Sequence, residues 1–244
     1  MKIALLGYGK MGKIVEEMAI SRGHSIVLKM DEHNAGTITD DELRAAQVAI
    51  EFTRPEAAVP NIQRCMKCGV PVVVGTTGWY NQLEQLKAQV QQSNGALFYA
   101  SNFSIGVNLF FSLNEKLAGI MKGFPDYHAH IEEIHHVHKL DAPSGTALTL
   151  AEGLMRGMPS KSEWKLYHNE LPPQQTESTE LPIVSIREGE VPGTHSIIYE
   201  SEIDRIIIRH EAFNRKGFAS GAVLAAEWVA ERKGVFTMND MLGN

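Results

Sequence analysis

Through roughly the first hundred residues, short apolar runs alternate with longer amphipathic stretches. The runs lie at 2–6, 25–30, 48–52, 70–74 and 96–99, and the first amphipathic stretch covers 10–22. Strands that read as nearly continuous Val, Ile and Leu are buried on both faces, and helical crossovers between them make neighbouring strands parallel. The pattern predicts an α/β fold that opens with a doubly wound parallel sheet.

Past Asn102 the pattern changes. A long helix with apolar positions Val107, Phe110, Leu113, Leu117 and Ile120 leads to Pro125, after which strands dominate at 128–135, 183–187, 195–199 and 203–209. These predict a smaller α+β domain with a mixed or antiparallel sheet, and a helix at 146–155 falls between its first two strands. Residues 160–181 are polar, contain Pro172 and Pro173, and carry no period, which predicts a long surface loop. An Ala-rich helix at 218–231 is expected to return to the first domain. The expected division is 1–102 with 214–244 against 103–213, with hinges at the two crossings.

The turn after the first strand reads Gly7-Tyr8-Gly9-Lys10-Met11-Gly12 and opens a helix. Glycines in this G-x-G-x-x-G spacing allow a tight turn and close approach of backbone to a pyrophosphate, whose charge the free N–H groups of the helix N-terminus stabilise. Asp31 follows Gly12 by nineteen residues, at the end of the second strand. A carboxylate there binds ribose hydroxyls, so the first domain reads as Rossmann-type and its cofactor as NADH and/or NADPH. Asp31 favours NADH because it repels a 2′-phosphate, and Glu32 and His33 beside it supply no arginine. Lys10 and Lys29 are the cations placed to reach such a phosphate. Two more loops at strand C-termini, Gly75-Thr76-Thr77 and Ala100-Ser101-Asn102-Phe103, are expected at the nicotinamide end.

A net charge of −6, from 23 basic and 29 acidic residues in 244, gives no reason to expect nucleic acid or an anionic membrane and favours a small metabolite. The N-terminal apolar run is too short for a secretory leader and no 18-residue apolar run follows, so a cytoplasmic location is the expectation. Cys65 and Cys68 form a C-x-x-C pair near a predicted helix C-terminus, where no dipole lowers a thiol pKa, so they read as structural.

The chemistry concentrates in one stretch, Glu133-Ile134-His135-His136-Val137-His138-Lys139-Leu140-Asp141-Ala142-Pro143-Ser144-Gly145-Thr146-Ala147. Its histidines and lysine offer a proton near neutral pH and a fixed cation. Pro143-Ser144-Gly145-Thr146 turns into a helix whose N–H groups can hold a carboxylate. A metal reading of His135, His136 and His138 is disfavoured because adjacent strand residues face opposite ways.

This stretch resembles the signature E-x-H-H-x-x-K-x-D-A-P-S-G-T-A of the 4-hydroxy-tetrahydrodipicolinate reductase (dihydrodipicolinate reductase) family. The likeness continues through Gly75 to Gly78, Ser101 to Asn108, Arg187-x-Gly189, Gly193-x-His195 and Phe218 to Ala222. It implies reduction of a cyclic imine dicarboxylate in lysine biosynthesis, in a homotetramer joined through the sheets of a substrate-binding and oligomerisation domain. It implies that His135 is the general acid/base, that Lys139 is a cation and proton donor, that His136 contacts substrate, and that Gly145 and Thr146 hold a carboxylate. It also implies cofactor contacts from Gly7 to Gly12, Asp31, Gly75 to Thr77 and Ala100 to Phe103. The chain departs from the family in a first loop one residue shorter and in Glu51 where aspartate is commoner. Other readings of the same residues are another Rossmann amino-acid dehydrogenase, or a nicotinamide sensor without activity.

Overall fold

The computed structural model describes residues 1–170 and 178–243, which divide into two compact units, Met1–Asn108 with Lys216–Asn244, and Leu109–Arg215. The first unit holds a sheet of six parallel strands: β1 (Lys2–Leu6), β2 (Ser25–Met30), β3 (Val48–Glu51), β4 (Val72–Val74), β5 (Ala96–Tyr99) and β11 (Gly234–Phe236). Their spatial order is β11-β5-β4-β3-β1-β2. Alternation along each strand feeds two cores. Ala4, Leu6, Ala49, Val72, Val74 and Leu97 pack under α2 (Asp40–Arg44), α3 (Pro55–Cys68) and α4 (Leu83–Ser93). Ile3, Leu5, Val48, Ile50, Val73 and Phe98 pack under α1 (Lys10–Ser21) and α7 (Lys216–Val229). Helices on both faces explain why these strands carry so little polar alternation. The small side chains of α7, Ala219, Ala222, Ala225 and Ala226, are fully buried, so this helix sits close against the sheet.

The second unit contains β6 (His128–His135), α6 (Gly145–Gly157), β7 (Glu163–His168), β8 (Glu180–Arg187), β9 (Thr194–Glu200) and β10 (Arg205–Glu211). The sheet is mixed, in the order β10-β9-β6-β8-β7: β6 and β7 run parallel to β8, while β9 is antiparallel to both β6 and β10. One face, carrying Ala129, Ile131, Leu181, Ile183, Ile197 and Tyr199, is covered by α6 and by the part of α5 (Ile105–Met121) in this unit.

Two expectations are corrected. The 160–181 stretch is not one loop: β7 occupies Glu163–His168 and β8 begins at Glu180, while 171–177 lie outside the described residues. β7 is an edge strand exposed at Glu163, Trp164, Lys165 and His168, with Tyr167 alone buried, so its apolar residues mark no single buried face. In α5, Leu113 and Ile120 are half or more exposed, whereas Phe110, Asn114, Ala118 and Met121 are buried. The helix is apolar around most of its circumference, and of the apolar positions read from the sequence Val107 and Phe110 are buried and Leu117 packs against the core, while Leu113 and Ile120 lie on the exposed side. Two short terminal elements, β11 and α8 (Met238–Leu242), also went unread. Cys65 is buried and burial pushes its thiol pKa up, in keeping with a structural role.

Ile50 is fully buried in the middle of the parallel sheet, so Ile50→Ala is expected to cost about 2–5 kcal/mol. Ile203, 92% exposed, should tolerate alanine within about 0.5 kcal/mol. Urea unfolding of both variants checks this contrast.

Candidate active site

In the first unit, the loops after β1, β2, β3, β4 and β5 all leave the carboxyl edge of the sheet. Gly7 has φ +99°, and a Cβ there would meet the Phe52 carbonyl oxygen at 2.1 Å, so only glycine permits this turn. Gly9 caps α1 without a side-chain bond, which leaves the first N–H groups of the helix unclaimed by any cap. Asp31 accepts the N–H groups of His33 (2.8 Å) and Asn34 (3.1 Å) on Oδ1. Its Oδ2 has no partner among the described residues and is free for a hydroxyl.

The surrounding cations are divided. Lys29 pairs with Glu16 at 2.6 Å and lies over the Tyr8 ring, while the Tyr8 hydroxyl donates to the same glutamate. Lys10 is exposed and makes no ion pair among the described residues. A cation missed in the sequence, Arg54, comes from the loop after β3 and pairs with Glu32 at 2.6 Å. Twenty-two residues separate the pair, so only the tertiary fold could reveal it.

The two further loops are held by their own bonds. Thr76 is buried, its Oγ1 accepts the Thr53 N–H at 2.8 Å, and its carbonyl accepts the indole N–H of Trp79 at 2.7 Å. Burial pushes the Glu51 carboxyl pKa up, against hydrogen bonds from Thr53, Thr76 and Asn61 that lower it. Thr77 and Ser101 are exposed and Gly75 and Ala100 half-buried, but the Phe103 ring is in the core beside Phe52 and Phe98. Asn102 Oδ1 accepts the Ser104 N–H at 2.9 Å. Thr76 and Phe103 therefore have only backbone to offer a ligand.

In the second unit the site forms where β6 ends and α6 begins. His135 closes β6 and is buried, with Nδ1 lacking a hydrogen bond but lying 3.5 Å from the Glu133 carboxylate. His136 Nδ1 is buried and also without a partner. His138 lies in the open and pairs with Glu190 at 3.2 Å, apart from this group. Lys139 Nζ donates to both oxygens of Asp141 at 2.7 Å. Ser144 caps α6 by accepting the Ala147 N–H, and the N–H groups of Gly145 and Thr146 have no partner among the described residues. These two residues are also at least partly accessible, as a carboxylate cradle requires.

Sequence reading left Glu133, Asp141, Arg187 and His195 without roles. Glu133 sits two residues before His135 on a strand and so shares its face, a signal the sequence did contain. Arg187 on β8 donates to the Asp141 carbonyl at 2.7 Å, and His195 on β9 packs edge to face against His135 with centroids 5.0 Å apart. Glu133, His135 and His195 bring ligand atoms within 4.8 Å of one another, a span that fits a divalent ion. Glu133 is nevertheless already satisfied by N–H and O–H donors and by the Arg187 guanidinium at 3.5 Å, which fills the role of a cation.

Burial lowers the His135 pKa to about 4; Glu133 raises it, and His195, Lys139 and Arg187 lower it. Burial would raise Glu133, but the His195 ring 3.6 Å away, hydrogen bonds from Ser144 and Ser185 and the adjacent His135 hold it at about 2. At neutral pH the pair is carboxylate and neutral imidazole. Because the folded His135 resists protonation, the unfolded chain takes up its proton first. Stability should be full above pH 6.5 and fall by on the order of 3 kcal/mol as the pH drops from 6.5 to about 4. Denaturant unfolding across this window should show a shallower fall for His135→Gln than for the unaltered protein.

Comparison with known proteins places the chain among its relatives. Residues 1–103 match the dihydrodipicolinate reductase N-terminus family and residues 106–242 the dihydrodipicolinate reductase C-terminus family. A 4-hydroxy-tetrahydrodipicolinate reductase of Christiangramia forsetii is 47% identical over 100% of this chain and 98% of its own length. One from Archaeoglobus fulgidus is 34% identical over 99% of this chain and 100% of its own. A dipicolinate-bound dihydrodipicolinate reductase from Paenisporosarcina sp. TG-14 shares the fold, with TM-score 0.77 at 24% identity over 99% of each chain. The chain belongs to the dihydrodipicolinate reductase family.

Proposed function

We propose that the protein reduces 4-hydroxy-tetrahydrodipicolinate, through its dehydrated dihydropyridine, to tetrahydrodipicolinate on the diaminopimelate route to lysine. The observation that carries this reading is the junction of β6 and α6. A buried imidazole there adjoins a helix N-terminus with two free N–H groups, in a chain of this family. Gly145 and Thr146 grip one substrate carboxylate, and the half-buried His136 contacts the ligand. Lys139 balances the developing negative charge, exchanging part of its bond to Asp141 for the substrate.

Gly7, Tyr8, Gly9, Lys10, Met11 and Gly12 hold the pyrophosphate, Asp31 the adenosine ribose, and Gly75, Thr76, Thr77, Ala100, Ser101, Asn102 and Phe103 the nicotinamide end. The free α1 N-terminus and the tight Gly7 turn fit a dinucleotide. When bound, reduced nicotinamide supplies the hydride that reaches ring C4. The enamine left by hydride addition needs one proton, which His135 delivers and then recovers from solvent. A neutral resting imidazole is not yet an acid. Burial depresses the His135 pKa most, with His195, Lys139 and Arg187 adding to it, and a substrate dianion opposes the two cations and so favours a protonated ring as it binds. Residues 1–102 and 214–244 form the dinucleotide-binding domain in this reading, and 103–213 the substrate-binding and oligomerisation domain. The working form is a homotetramer in the cytoplasm, where the nicotinamide pool lies; light scattering of the purified protein tests the assembly.

In a coupled assay with dihydrodipicolinate synthase, His135→Ala and Lys139→Ala should each lower kcat by roughly 10²-fold or more. NADH affinity by titration and the circular dichroism spectrum should stay near those of the unaltered protein. Near-normal turnover in both variants would remove the assigned roles.

NADH should serve at least as well as NADPH, because Asp31 binds hydroxyls while Glu32 occupies Arg54. The Arg54–Glu32 pair is exposed and so worth little, and Glu32→Gln should move the kcat/KM ratio toward NADPH by roughly two- to fivefold. Parallel kinetics at one ionic strength measure the ratio.

A further inference from the structure

Glu133 is fully buried, charged, and in contact with both halves of the substrate site. The Ser144 N–H donates to its two oxygens at 3.1 Å each, tying it to the first turn of α6. Ser185 Oγ–H donates to Oε1 at 2.7 Å, with Arg187 Nη2 3.5 Å from the same oxygen. Oε2 faces His135 Nδ1 at 3.5 Å and His195 Nε2 at 3.6 Å. His195 closes the circuit by hydrogen bonding the Ser144 hydroxyl at 3.1 Å. Replacing such a buried ionic group with apolar side chains is often as stable, so stability alone does not account for it.

We propose that Glu133 is the positioning residue of the reduction, fixing the proton donor His135 and the carboxylate cradle at Gly145 and Thr146 in one geometry, with His195 as a brace. The inference rests on His135 being the proton donor. Glu133 holds the Nδ1–H tautomer, which leaves Nε2 as the atom that exchanges a proton with substrate. Gly193 keeps that edge open: its φ is +151°, and a Cβ there would stand 3.1 Å from Nε2. The same carboxylate sets the height of the Ser144 backbone, and hence the direction in which the next two N–H groups point. A shift of the cradle by even an ångström relative to the imidazole misaligns the reaction.

The groups facing His135 are Glu133 from its own strand, Arg187 from β8, His195 from β9 and Lys139 from the following loop. Glu133 is the one anion among them. Glu133→Gln keeps the shape and removes the charge, so His135 protonates at a lower pH than before. In kcat against pH, the alkaline limb that reports a protonated His135 should move to lower pH, and kcat should fall by roughly 10²-fold or more. NADH affinity and the circular dichroism spectrum should not change. His135→Ala is measured alongside. If it retains turnover, the proton-donor reading fails. If it loses turnover while Glu133→Gln keeps the original kcat and pH profile, the positioning role is overturned.

A second measurement does not depend on the variant folding. Imidazole ¹⁵N shifts of the unaltered protein, with His135 assigned by its absence in His135→Ala, should show the neutral ring protonated at Nδ1. A ring protonated at Nε2 would overturn the proposal.

Discussion

Along β6 every second side chain turns to the same covered face of the sheet, and that period of two organises the second unit. Ala129 and Ile131 meet the helices there as ordinary core. Two and four residues later the same face carries Glu133 and His135, so the apolar layer passes into the chemical site without any change of backbone. The desolvation that makes Ile131 stabilising makes Glu133 expensive, and donors from α6, β8 and β9 converge to offset that cost. The parallel register of β6 with β8 places Glu133 opposite Ser185 and His135 opposite Arg187, and the antiparallel register with β9 places Glu133 opposite His195. A one-residue slip would turn both site residues to the other face.

The first unit answers a different constraint. Its strands are parallel and covered on both sides, so polar groups suited to a ligand collect where the strands end. The loops meet through backbone as much as through side chains. Gly7 lies against the Phe52 carbonyl, a Cβ at Gly75 would meet the Phe52 ring at 2.1 Å, and Thr76 accepts from Thr53. A dinucleotide laid on this edge would touch a surface already held by its own hydrogen bonds, which lowers the cost of ordering it.

What could be read from the sequence follows from these constraints. The first five strands of the parallel sheet were legible because they read as short, nearly continuous apolar runs, whereas the three-residue β11 is too short to show one. The His135 to Thr146 segment was legible because its residues are contiguous. β7 was not, since Trp164, Leu166 and Tyr167 fall on both faces of a short edge strand and only Tyr167 is buried. The buried side of α5 was read only in part, at Val107, Phe110 and Leu117, because Leu113 and Ile120 are as apolar as the residues that pack. Arg54 beside Glu32 comes from the loop after β3, Arg187 and His195 beside Glu133 come from β8 and β9, and none has a local spacing to betray it. The Glu133–His135 spacing is local, yet a glutamate in a charged run reads as solvated until its burial is known.

The resting electrostatics of the second unit are those of a site waiting for an anion. Arg187 and Lys139 stand near a neutral imidazole, and each is held by an internal partner: Arg187 by Glu133 and the Asp141 carbonyl, Lys139 by Asp141. Asp141 is mostly exposed while Glu133 is fully buried, so the two holds differ in strength. A ligand carboxylate can compete with water-exposed Asp141 for Lys139 at small cost, because an exposed pair is worth about 1 kcal/mol or less. It cannot displace Glu133 without stranding a buried charge, which costs about 3–5 kcal/mol. Binding therefore draws on the Lys139 side of the site and leaves the Glu133 side fixed. The group that must adapt to substrate and the group that must hold the proton donor still are separated by burial.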